Sequence, residues 1–115
     1  MTDNEFTKMI EEVFKTCSMI MTTKKENYAT NINRFHNFDE RSKINNLPPV
    51  QIAFSDFTKH FQAFKDKLYG ITINNKYEIL PIALYDENII DMINYLVLIR
   101  GLLIRNIKGE REQIL

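Results

Sequence analysis

From Ile89 to Ile104 the chain leaves a helix no polar face, because Ile89, Ile90, Ile93, Leu96, Val97, Ile99, Leu102, Leu103 and Ile104 surround the axis on nearly every side. A helix of this kind, expected from about Tyr85 to Ile107 after Pro81, lies in the centre of a bundle or in a subunit interface. It is too interrupted to span a membrane: Asp91, Asn94 and Arg100 break the apolar run before the roughly 18–20 residues a span requires. Arg105, Lys108 and Arg111 suit the negative end of its dipole, and Gly109 offers a stop.

Polar residues planted in such a rod need partners. Glu87, Asp91, Asn94 and Tyr95 follow one another at steps of four, three and one, so they share one stripe. A buried carboxylate is costly unless paired. Two readings of Asp91 stand: it pairs with Arg34, Lys59 or His60 and locks segments together, or it converges with them on a ligand.

Two further helices follow from periodicity. Phe6, Met9, Ile10, Val13, Phe14, Cys17, Ile20 and Met21 recur at helical steps, with Thr2 and Asp3 as caps and Thr22-Thr23 at the far end. Cys17 on that apolar face reads as a small buried hydrophobe rather than a nucleophile. A middle helix starts near Pro48-Pro49, where proline suits the first turn, and Gly70 is expected to stop it. Along it Val50, Phe54, Phe57, Phe61, Phe64 and Leu68 alternate steps of four and three, a seam suited to core or a subunit interface. Asp56 and His60 stand at i, i+4 on the flank of that seam, with Lys59 beside them.

Between these helices the pattern weakens. Residues 24–46 form a loop with a short helix around Phe38 to Ile44, pinned by Phe35 and Phe38, which are assigned to the core. Residues 71–79, with Asn74-Asn75-Lys76 in the middle, suggest a short β-hairpin or an extended connection.

The whole chain has 115 residues, enough for one core, so a single domain over 1–115 is expected, mainly all-α and compact. One cysteine, and a start with scattered charges unlike a signal peptide, fit a cytoplasmic setting. Fifteen basic and fifteen acidic residues cancel, which argues against a footprint for duplex nucleic acid. Three scattered glycines, Gly70, Gly101 and Gly109, exclude phosphate-cradling loops of the P-loop or dinucleotide type.

Two clusters remain that set recognition chemistry among large apolar residues. One is Asn27-Tyr28-Ala29 running into Arg34-Phe35-His36-Asn37-Phe38; the other is Asp86-Glu87 leading to Asp91-Met92-Ile93-Asn94-Tyr95. With Pro48 and Lys59-His60 between them, these spaced motifs resemble a group of small phage proteins known as nucleotide-modification-associated or MazG-like, over roughly residues 24 to 104. The resemblance implies an all-α domain related to nucleotide pyrophosphohydrolases, with sites often built from two or more subunits. Enzymes of the MazG type hold magnesium with Glu-x-x-Glu on one helix and Glu-x-x-Asp on the next. Here the second motif falls on Asn88-Ile89-Ile90-Asp91, with Asn in place of Glu, and the middle helix carries only Asp56 and Asp66.

The expectation is therefore a self-associating helical protein that binds a nucleotide-like ligand without hydrolysing it, using no cofactor, metal or catalytic residue. Arg34 and Lys59 would meet phosphate, and Tyr28 and His36 would stack on or bond to the base. Asn37 and Asn94 would read its edge or a ribose hydroxyl, beside His60, Asp91 and Tyr95. A phage origin would put the protein in the host cytoplasm, where sequestering a host nucleotide signal is a counter-defence role. The alternatives are a divergent pyrophosphohydrolase or accessory enzyme of nucleotide metabolism, and a purely structural or protein-binding module.

Overall fold

The computed structural model describes residues 1–23, 34–73 and 80–109. Within them the chain forms four helices and no strand: α1 (Asp3–Thr23), α2 (His36–Asn45), α3 (Pro49–Ile73) and α4 (Ile82–Ile107). The all-α expectation holds. The hairpin does not begin at residue 71, because α3 runs through Ile73; residues 74–79 lie outside the described residues. Gly70 therefore fails to stop its helix. A glycine ends a helix only where the chain takes the left-handed conformation, and inside a long helix it costs about 1 kcal/mol that packing absorbs.

Local chemistry accounts for the other boundaries. Thr2 and Glu5 form a capping box: the Glu5 amide donates to Thr2 Oγ1 at 3.2 Å and the Thr2 amide to Glu5 Oε2 at 2.9 Å. Asn46, at φ 55° and ψ 43°, turns the chain out of α2 in a left-handed conformation that asparagine tolerates, and the Ser42 hydroxyl donates to the Leu47 carbonyl at 2.5 Å. Pro49 then opens α3. Gly109, at φ 69°, closes α4 with its amide donating to the Asn106 carbonyl at 2.9 Å.

Helix α4 is the spine. Lys67 donates to the Leu84 carbonyl at 2.7 Å and to Asn88 Oδ1 at 2.6 Å at one end of α3, while Ile52 and Ala53 pack with Leu98 and Leu102 at the other. The two helices are thus antiparallel. Phe38 from α2 completes that core, with Phe35, Val50, Tyr95 and Met21 around it. Phe35 and Phe38 are core residues as expected, and Phe35 lies so close to Gly101 that a Cβ there would stand 2.8 Å from its Cζ.

Charge locks α2 in place twice. Arg105 holds Asp39 with a bidentate fork at 2.8 and 3.0 Å, both groups buried, and its guanidinium sits 5.1 Å over the Phe35 ring. Arg41 holds Asp56 of α3 the same way at 2.6 and 2.8 Å. That hydrogen-bonded carboxylate pushes the Arg41 pKa above its ordinary value, against the opposing effect of burial.

The bundle is open rather than compact. Its radius of gyration is 17.0 Å, against about 13 Å for a globular domain of this length. Helix α1 packs chiefly on α4 and buries only Cys17, whose thiol is pushed up by burial. The phenylalanine seam of α3 is half outside: Phe54 is 56% and Phe61 50% exposed, with Phe57 stacked between them at 6.0 and 6.4 Å. None of the described helices is long and apolar enough to cross a membrane.

Candidate functional site

The antiparallel crossing of α3 and α4 brings His60, Asp91 and Tyr95 together. His60 points across the seam because it falls one turn beyond Asp56 on the buried side of α3; Asp91 and Tyr95 face it from successive turns of α4. The His60 and Tyr95 rings lie 5.2 Å apart, tilted by 32°, and His60 Nδ1 is 3.4 Å from Asp91 Oδ2. Both side chains of the His60–Asp91 pair are 31% exposed, so the pair is wet at one edge. The Arg41–Asp56 pair lies close enough to Tyr95 for the two to interact electrostatically.

Asp91 also walls a cleft of about 490 Å³ between the end of α1 and the start of α4, together with Ile20, Ala83, Asp86, Glu87 and Ile90. This volume suits a nucleoside-sized molecule. One turn beyond Ile90 and Asp91 stands Asn94, 6% exposed, whose Oδ1 is buried without a hydrogen-bond partner among the described residues. Three carboxylates on one cleft make it acidic, yet among the described residues no group of three or more His, Cys, Asp or Glu is arranged to hold a metal ion.

The other expected site residues go elsewhere. Arg34 reaches the end of α1, donating from Nη2 to the Met21 carbonyl at 2.6 Å. A guanidinium beside the unsatisfied carbonyls of a helix C-terminus is favourable on both hydrogen-bonding and dipole grounds. His36 is exposed in the first turn of α2, Asn37 is half-buried there, and Lys59 is exposed on α3. Tyr28 lies outside the described residues. The residue that the motif reading left out is Arg41 beside Tyr95; Asp86, which belongs to the second motif, stands on the cleft wall. No periodicity distinguishes Arg41 from other exposed cations; its only sequence signal is its place one turn after Phe38.

The partner of Asp91 is thus His60, across a half-exposed contact. The burial that would make its loss costly is absent. Asp91→Ala should lower stability by less than about 1 kcal/mol, the range of exposed ion pairs, as read from the denaturant midpoint. A loss of several kcal/mol would mean that Asp91 carries a buried charge after all.

No protein-family model, curated protein or solved structure matches this chain.

Proposed function

We propose that the protein binds a nucleotide-derived ligand through its base and sugar, without hydrolysing it. The observation that carries this reading is the His60–Tyr95 ring pair beside Asp91, a residue that also walls the cleft with Asp86 and Glu87. Aromatic faces take a base by stacking, worth about 1–3 kcal/mol. The carboxylates of the cleft accept from exocyclic amino groups and ribose hydroxyls. The acidic cleft wall disfavours phosphate inside, so the phosphates face solvent, with Lys59, next to His60 in the chain, as an exposed cation.

Sequestration rather than turnover is favoured by Asn88. It stands where a magnesium-binding carboxylate would be expected in a MazG-like helix, and its side-chain oxygen already accepts from the Lys67 ammonium. The resemblance to small phage proteins gives this activity a setting: capture of a host nucleotide signal in the cytoplasm. The same reading includes self-association, since the exposed phenylalanines of α3 and the apolar flank of α4 want cover.

The test is a thermal-shift and calorimetric screen of nucleosides, nucleoside triphosphates, cyclic dinucleotides and ADP-ribose derivatives, with magnesium and with chelator. A bound ligand should raise the melting temperature in both conditions and be recovered intact. His60→Ala should then weaken binding by roughly 5- to 150-fold, the equivalent of one lost stacking contact. Stabilisation by none of these compounds would remove the reading. Magnesium-dependent release of pyrophosphate or monophosphate would replace it with the hydrolase.

A further inference from the structure

We propose that a second copy of this chain covers the open face of α4, with the two α4 helices antiparallel about a two-fold axis near Ile93. The inference rests on the self-association reading above and adds its geometry.

Four apolar residues on α4 recur at intervals of seven: Ile82, Ile89, Leu96 and Leu103. An interval of seven keeps them on one face through about 32 Å of helix, the length over which a left-handed helix pair stays in contact. Ile89 is half-buried at the edge of the contact with α1, and the rest of that face is open. Ile82 is 69%, Leu96 52% and Leu103 45% exposed, while the buried row of Leu98 and Leu102 points the other way, to α3 and α2. Beside the stripe runs a groove of about 650 Å³, with Ile82, Ile89 and Ile93 on the α4 side and Met9, Ile10 and Phe14 of α1 as its other wall.

Three observations select a second copy as the occupant. The first is exposed apolar surface: Ile82, Leu96 and Leu103 leave about half or more of their area in solvent on one face. The second is self-complementarity. A two-fold midway along the stripe sets Ile82 against Leu103 of the second copy and Ile89 against its Leu96, so each apolar residue meets another. The third is charge. Asp86 and Arg100 flank the stripe on the same edge, seven residues to either side of Ile93, and neither forms a salt bridge among the described residues. The antiparallel two-fold brings Asp86 of each copy to Arg100 of the other, twice over. A parallel pairing would set like charges side by side.

Light scattering of the full chain at micromolar concentration should return about 27 kDa, twice the 13.7 kDa chain. Leu96→Glu, at a position exposed in the single chain, should give the monomer mass with unchanged helical circular dichroism. Asp86→Arg and Arg100→Asp should each weaken dimerisation by tenfold or more, and the double variant should recover most of the loss, because both pairs re-form with signs exchanged. A wild-type monomer would overturn the geometry and self-association together. A dimer insensitive to Leu96→Glu, or a double charge reversal that adds its losses instead of cancelling them, would overturn this geometry while leaving self-association standing.

Discussion

Replacing Asp39 by alanine should cost about 3–5 kcal/mol of folding free energy, because it leaves the Arg105 guanidinium buried without its carboxylate. Four features make this loss large. Both side chains are almost completely removed from water, the fork is bidentate, the partners are 66 residues apart, and α2 is held to α4 through them. A chemical denaturation curve measures the loss directly, as a fall in midpoint at unchanged slope. The paired replacement of Asp39 by leucine and Arg105 by methionine separates two meanings of the pair. Removing both charges should return most of the loss, since a buried ion pair is often no better than a packed apolar one of the same volume. If the double variant stays as unstable as the single, the pair contributes beyond its own neutralisation, and its role is to fix how α2 docks.

Phe38→Ala is the second large effect, about 3–5 kcal/mol, or a fall in melting temperature of about 10 °C or more. Phe38 is fully buried between Ile52 and Ala53 of α3 and Leu98 and Leu102 of α4, so the cavity it leaves borders three helices. Relaxation could refill that space only by moving α2, and the Asp39–Arg105 and Arg41–Asp56 forks resist such movement. A loss below about 1 kcal/mol would show that α2 adjusts freely and that the two ion pairs do not hold it. The contrast with Phe54 is instructive: equally aromatic and on an equally regular seam, it is 56% exposed.

Much of the helical plan is legible in the residues. Thr2 followed by Glu5 writes the start of α1, Pro49 the start of α3, and Gly109 the end of α4. Phe35 and Phe38 require burial wherever they fall. The limits of that legibility are also physical. Gly70 carries a weak stop signal that tertiary packing overrides. The seam through Phe54 and Phe61 specifies a face but not what covers it, because spacing records only which residues point together.

The candidate site divides in the same way. His60, Asp91 and Tyr95 could be brought together on paper, since each lies on a strongly periodic helix and an antiparallel pair has few registers. Arg34 could not be assigned, because its acceptor is the Met21 backbone carbonyl, and every residue offers one of those. Arg105 suits a helix C-terminal dipole by position. Its placement on the row of Leu98 and Leu102 was the signal of burial, and Asp39 as its partner depends on where α2 lands.

Helix α1 hangs from the rest of the molecule by its C-terminal end. Cys17 is its one buried residue, Arg34 ties down the carbonyl of Met21, and the side chains from Asp3 to Ile10 are exposed. Its amides should therefore exchange with solvent at a lower opening free energy than those of α3 and α4, as native-state hydrogen exchange would measure.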